Sequence, residues 1–323
     1  MPCSISLVKP NAVRVLDAKY PESIEESVAA LRAERLVAIP TETVYGLAAI
    51  ATSIDAINKI FVVKSRPTNH PLILHIASPP DIEHWSVDLS EVATSLTARY
   101  WPGPLTVIVK RSTKVCDEIT GGRETVAIRC PEHKVAQQLL YRLGTAVVAP
   151  SANRFGKVSP TCAEHVVNDL GDDIEIVLDG GQCSIGIEST IIDCTTQPPQ
   201  LLRAGAITAA QIERECGFAV ADAIGESRAS GMLKKHYAPN CQIELVETFA
   251  IAIERQKFHT QNGLKSEILN LTFDLDEYAR LLFARLRQAD QHEIQIVIAV
   301  KPPEIGLGIA INERLGKASN TAD

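Results

Sequence analysis

The alternation of apolar and polar positions predicts short strands interleaved with helices. Pro21-Glu22-Ser23 opens a helix in which Ile24, Val28 and Leu31 recur at i, i+4 and i+7. An apolar strand at 36–39 stops at Pro40. A helix opened by Ser53 or Asp55 carries Ile57, Ile60 and Phe61 and ends near Lys64. Strand-like runs follow at 71–76, 105–110, 125–130, 145–149, 174–179, 187–194 and 200–203. Helical patterns fill 90–100, 133–143 and 208–215, the last closed by Gly217. Connections such as 110–125 are too short for a crossover helix, so part of the sheet is expected to be antiparallel or mixed.

A polar stretch with Gly225, Ser227, Ser230 and Gly231 runs into Lys234-Lys235-His236-Tyr237-Ala238-Pro239 and reads as a linker. Beyond it, a helix at 275–289 presents Tyr278, Leu281, Leu282 and Leu286. An unbroken apolar run at 294–300 and a helix at 309–318 follow, the pattern of a strand buried on both faces of a parallel sheet. Residues 242–270 show only fragments of a β-α pattern, so a shortened second domain is expected. The divisions are 1–216, a linker at 217–241, and 242–323, in an α/β fold.

Composition narrows the function. The 323 residues suit two domains, and 46 % hydrophobic with 22 % charged residues excludes a disordered or fibrous chain. A net charge of −7 argues against a coat for nucleic acid. Residues 41–160 nevertheless carry 13 Lys and Arg against 10 Asp and Glu, which points to a confined anionic ligand. The 8 Cys form no C-x-x-C pair, and neither an export signal nor a membrane-length apolar run is present, so a cytoplasmic protein without a zinc site is expected. No P-loop, H-E-x-x-H or G-x-S-x-G occurs, and Gly306-Leu307-Gly308 lacks the third glycine of a dinucleotide fingerprint.

Four polar clusters remain. PTETVYGL (40–47) leaves a strand with hydroxyls at its end. Lys64-Ser65-Arg66-Pro67 sets two cations two residues apart, suited to adjacent phosphates or to a solvated helix end. Ala149-Pro150-Ser151-Ala152-Asn153 turns small and polar directly out of a strand. Gly186-Ile187-Glu188-Ser189-Thr190 precedes Leu202-Arg203-Ala204-Gly205. Each alone also reads as an ordinary turn or solvent face, and His75 alone as a satisfied core residue.

In order, PTETVYGL, KSRP, HPLILHI, WPGPLT, TVAIRCP, APSAN, SPT, GIESTIID and LLRAG resemble the YrdC-like family. The linker HYAP and the tail EYARLLFARLRQAD to IGLGIAINERL resemble its long, two-domain threonylcarbamoyl-AMP synthases. The resemblance runs from about residue 20 to 318. It implies a YrdC-like twisted mixed sheet with a concave cavity, plus a small Rossmann-like domain. The implied reaction condenses L-threonine, bicarbonate or CO2, and ATP into threonylcarbamoyl-AMP and pyrophosphate. Mg is implied with ATP, without metal ligands from protein side chains. The implied recipient is a downstream tRNA threonylcarbamoyl transferase complex, with little direct tRNA binding by this chain and no membrane partner. By the same resemblance, the catalytic tetrad falls on Lys64, Arg66, Ser151 and Asn153. ATP contacts fall on Arg66, His70, Thr125, Ser151, Ser159, Arg203 and Tyr237. Threonine contacts fall on Thr43, His75, Arg129, Ala149 and Ser189. No residue stands out as a general base. The alternative is an RNA-binding or ribosome-assembly protein on the same fold.

Overall fold

The structure, a computed structural model, describes residues 12–224 and 237–319; the middle of the expected linker, 225–236, lies outside the described residues. Eleven strands form the larger sheet. They are β1 (Arg14–Asp17), β2 (Val37–Ile39), β3 (Gly46–Ile50), β4 (Ile73–His75), β5 (Leu105–Lys110), β6 (Thr125–Arg129), β7 (Val147–Val148), β8 (Ile176–Asp179), β9 (Thr190–Asp193), β10 (Gln200–Arg203) and β11 (Ala221–Asp222). Their order is β1-β8-β2-β3-β7-β4-β6-β5-β9-β10-β11. The sheet is mixed, as the short 110–125 connection requires: β5 and β6 are antiparallel, whereas β4–β6 and β5–β9 are parallel. It extends past residue 216, because Ala221 and Asp222 pair with Gln200 and Leu201.

Strand alternation sends apolar residues to both faces. Ala38, Leu47, Leu74, Val107 and Ile128 pack with Ile57, Ile60, Phe61 and Leu96 from the Ile54–Lys64 and Glu91–Tyr100 helices. Val37, Ile39, Ala48, Val147 and Ile176 pack on the other face with Ile24, Val28, Leu31, Leu139 and Leu140 from the Pro21–Arg32 and Lys134–Leu143 helices. On that second face, helices cover only the β1-to-β7 side.

The second unit is more regular than the fragmentary pattern of residues 242–270 suggests. Residues 242–270 hold a full strand–helix–strand: β12 (Gln242–Val246), a helix at Phe249–Gln261, and β13 (Ser266–Leu269). With β14 (Ile296–Val300) they form a parallel sheet ordered β12-β14-β13. Its central strand is wholly buried, between helices at Leu275–Gln291 and Leu307–Ser319 and the Phe249–Gln261 helix. Phe249, Ile251, Ile253 and Phe258 point outward, which hides the periodicity of that helix from the sequence.

The buried stripe of the Lys134–Leu143 helix makes a direct test. Leu139→Ala is expected to lower unfolding free energy by about 2–5 kcal/mol in urea titration. Tyr141→Ala, on the exposed side of the same helix, should stay within about 0.5 kcal/mol of the wild type.

Candidate active site

Behind β4, β6, β5, β9 and β10, no helix of the described residues joins the core on the second face of the sheet. A small apolar cluster, Ile73, Ile108, Ala127, Ile191 and Leu202, lies there. The two-residue period places His75 with Ile73, Arg129 with Ala127, Thr106 with Ile108 and Ser189 with Ile191 on that face. The register sets His75 beside Arg129, and Arg129 beside Thr106. A register shift between Leu201 and Arg203 turns Arg203 the same way. The result is a cleft lined by charged and hydroxyl side chains.

Loops close its rim. Ser65 takes a left-handed φ of 51° at the end of the Ile54–Lys64 helix, and the Arg66 N–H donates back to the Phe61 carbonyl. Arg66 is thereby turned into the cleft. Its Nη2 donates to the Pro71 carbonyl at 2.9 Å, and its guanidinium lies 5.5 Å from the Phe155 ring centroid. Burial lowers its pKa to about 10. The Lys64 ammonium donates to the carbonyls of Ser151, at 2.5 Å, and Asn153. Burial first, and the nearby Arg66 charge second, hold the Lys64 pKa well below the usual lysine range. Lys64 therefore ties the end of one helix to the 151–153 loop. Gly46 allows the same loop close to β3, since a Cβ there would sit 3.0 Å from that of Ala149.

At the opposite end, Arg129 is held on three sides. Nε donates to the Gly103 carbonyl at 3.2 Å, Nη1 to Thr43 Oγ1 at 2.7 Å, and Nη2 lies 2.6 Å from Glu42 Oε1. Burial pushes the Glu42 carboxyl up, but the Arg129 charge and the hydrogen bonds it receives outweigh this and leave it lowered. His75 lies within 3.1 Å of the Ile73 carbonyl through Nδ1. A carbonyl only accepts, so Nδ1 carries the proton and Nε2 is the acceptor. Burial, then the Arg129 charge, lowers the His75 pKa to about 3, so the ring is neutral. Ser189 Oγ pairs with Thr106 Oγ1 at 2.7 Å and accepts from Arg203 Nη2 at 3.0 Å. Arg203 Nε also donates to the Ser189 carbonyl. Ser159 donates to Glu188 Oε1 at 2.5 Å, and Glu188 Oε2 is 3.2 Å from Nε of Arg314, a residue of the Leu307–Ser319 helix. Tyr237 closes the cleft, stacked at 5.3 Å on Phe283.

This geometry can be set beside known proteins. A family model covering Sua5, YciO and YrdC, described as telomere recombination, matches residues 29–205. The chain belongs to the Sua5/YciO/YrdC family. A second model, described as threonylcarbamoyl-AMP synthase, C-terminal domain, matches residues 207–320. The chain is 39 % identical over 311 residues to a threonylcarbamoyl-AMP synthase of Pyrococcus abyssi, covering 90 % of this chain and 92 % of the relative. It is 37 % identical to the Bacillus subtilis protein of that name, covering 92 % of each. The crystal structure of P. abyssi Sua5 complexed with L-threonine superposes with a TM-score of 0.89 at 36 % identity, covering 96 % of this chain and 98 % of that one.

Of the residues the family resemblance singled out, Thr43, Arg66, His75, Arg129, Ala149, Ser151, Ser189, Arg203 and Tyr237 line one cleft. Lys64, Asn153 and Ser159 bond to its walls from behind. Two do not line it. Thr125 begins β6, opposite Lys110, and four residues of strand separate it from Arg129, about 13 Å. His70 packs edge-on against Phe155 at 5.3 Å, under the Arg66 end. The sequence reading missed the roles of Glu42, Glu188 and Arg314. Arg314 left a signal: it shares the apolar stripe of Ile311, Leu315 and Ala318, where a charge needs a buried partner.

A neutral buried histidine has a consequence for stability. The folded pKa of His75, about 3, lies below its unfolded value of about 6.5, so the unfolded chain gains the proton first. Stability is complete above the unfolded value and falls with pH toward the folded one. His165, lowered to about 4 by burial and then by Arg287, adds in the same direction. Urea unfolding between roughly pH 6 and 4 should lose about 1.4 kcal/mol per pH unit for each such histidine. His75→Gln is expected to remove one proton from that slope; an unchanged slope counts against a neutral His75.

Proposed function

We propose that this chain is a threonylcarbamoyl-AMP synthase. It condenses L-threonine, bicarbonate or CO2, and ATP into threonylcarbamoyl-AMP and pyrophosphate, a nucleotidyl transfer. The observation that carries the reading is the division of the cleft into two chemically different ends. At one end, Arg129 retains donors beyond those given to Gly103, Thr43 and Glu42, which suits a carboxylate. Neutral His75 beside it offers an acceptor to the threonine amine or hydroxyl. At the other end stand Arg66 and, behind the wall, Lys64, which suits a triphosphate, with Arg203 reaching the cleft from the Ser189 side. The relationship to synthases over nine-tenths of the chain supports the same assignment.

In the reaction the threonine amine adds to the carbon of CO2 and loses a proton, or to that of bicarbonate with loss of water, giving a carbamate. A carbamate oxygen then attacks the α-phosphorus, and the bond to the β-phosphate breaks to release pyrophosphate. No covalent enzyme intermediate is needed, so rate comes from positioning and charge stabilisation in a closed site. Arg66 and Arg203 offset the charge growing on the leaving group. Ser151 and Asn153, held by Lys64, form the wall beside them. Mg bound with ATP would offset phosphate charge; Glu188, the carboxylate that lines the cleft among the described residues, is committed to Ser159 and Arg314. Among the described residues no group of three or more His, Cys, Asp or Glu could hold a metal ion. The product passes to a tRNA threonylcarbamoyl transferase complex in the cytoplasm, and this chain itself does little tRNA binding. Among the described residues no helix is long and apolar enough to cross a membrane.

Pyrophosphate release from ATP should require both threonine and bicarbonate. Release that continues undiminished without threonine refutes the assignment. Lys64→Ala and Arg66→Ala should each cut kcat/KM by about a hundredfold while circular dichroism stays native. Wild-type turnover in either variant removes its assigned role.

A further inference from the structure

Arg314 is 1 % exposed and belongs to the second unit, yet three of its partners belong to the cleft. Nε lies 3.2 Å from Glu188 Oε2, Nη2 reaches toward the Glu188 carbonyl at 3.5 Å, and Nη1 donates to the Ala204 carbonyl at 2.6 Å. Its guanidinium carbon sits 5.7 Å from the centroid of the Tyr237 ring, whose neighbour is Phe283 of the same unit. Glu188 and Tyr237 both line the cleft, and Ala204 directly follows Arg203, which also lines it. Glu188 in turn accepts the Ser159 hydroxyl. One buried guanidinium therefore fixes the segment carrying Ser189, the segment carrying Arg203, and the tyrosine that closes the site.

We propose that Arg314 is a positioning residue for the nucleotide end of the cleft, acting through Glu188 and Tyr237. The inference rests on the reading that ATP occupies that end. A second contact presses the same loop from the same unit: Gly186, at φ 82°, lies so near the Leu275–Gln291 helix that a Cβ would be 2.5 Å from Arg280 Cα. With the loop pinned there, removing Arg314 leaves the Glu188 carboxylate buried without its cation. No longer held at Oε2, that carboxylate shifts and carries with it the Ser159 hydroxyl that donates to Oε1. Tyr237 loses the cation on one side of its ring. At the amino-acid end, Arg129 bonds to Gly103, Thr43 and Glu42, and His75 to Ile73.

The test is steady-state kinetics of the full chain with Arg314→Met, Arg314→Lys, Glu188→Gln and the double variant Arg314→Met/Glu188→Gln. Arg314→Met should raise the KM for ATP about tenfold and change that for threonine less than about threefold. Arg314→Lys should recover part of the loss. The double variant should be no worse than Arg314→Met, because the pair acts as one unit. A wild-type KM for ATP accompanied only by a lower melting temperature, or strictly additive effects, overturns the inference. Should Arg314→Met not fold, Glu188→Gln decides, since it keeps the shape and drops only the charge that Arg314 grips. A KM for ATP within about twofold of wild type in that variant overturns the proposal. Arg66→Ala run alongside separates the two failures. If it too leaves the ATP KM unchanged, the nucleotide assignment falls and this inference with it. If it raises the KM while Arg314→Met does not, only the role of Arg314 falls.

Discussion

Charge held out of water governs this molecule. Lys64, Arg66, Arg129, Arg203 and Arg314 gather in or against one cleft and are all buried. Each would cost several kcal/mol if left unpaired, so the surrounding chain is shaped to meet them. Two kinds of partner do so. Backbone carbonyls meet Lys64, Arg66 and Arg203, through Ser151, Asn153, Pro71 and Ser189. Carboxylates meet Arg129 and Arg314, through Glu42 and Glu188. A carbonyl solvates a cation without cancelling its charge, whereas a carboxylate cancels it. The carbonyl-held end therefore keeps a positive potential suited to a polyphosphate. The Glu42–Arg129 end keeps directional donors with little net charge, which suits an amino acid that brings a carboxylate and an amine together.

The same distinction explains what the sequence disclosed. Apolar periodicity revealed the helices that bury a stripe and the strands that bury both faces, including the central strand of the second unit. It failed where burial is partial or where small residues blur the pattern. Strand β1 is an edge with two exposed residues out of four, and β3 reads Gly-Leu-Ala-Ala-Ile, which lacks alternation. The Phe249–Gln261 helix turns aromatic and aliphatic residues outward, so no stripe marks it. Within the site, the order of polar clusters brought most of the lining residues into view. The partners of those residues stayed hidden, because Glu42 meets Arg129 across 87 positions and Glu188 meets Arg314 across 126. Nothing local announces such a pair.

Closure of the cleft is shared between apolar packing and ion pairing. Val44, Val158 and Ile187 of the first unit join Tyr237, Phe283 and Leu282 in one core. Around it, Arg287 makes a bidentate pair with Asp169 at 2.9 and 2.6 Å, and Asp290 accepts from the backbone N–H groups of Asn240 and Cys241. The second unit is thus anchored near the C-terminal end of its long helix and presents Arg314 from the Leu307–Ser319 helix. A cover joined only by a surface patch would move freely; one that shares a core and a buried ion pair reports its position to the residues beneath it.

Burial also resolves the contrast between an acidic chain and its basic stretch. Residues 41–160 carry a net charge of +3, but Arg66 and Arg129 line the cleft, and Lys64 and Glu42 are buried behind its walls. The charge that this stretch shows to solvent is close to balanced. A polynucleotide backbone needs accessible cations along its path, and its affinity depends on counterions those cations release. Guanidinium groups already enclosed by Gly103, Pro71 and Ser189 cannot serve that purpose. They can serve a ligand small enough to enter, and inside a low-dielectric cleft their field on that ligand is far stronger than on any polyanion outside. The acidity of the whole chain and the cationic character of its site are then compatible, because they act in different media.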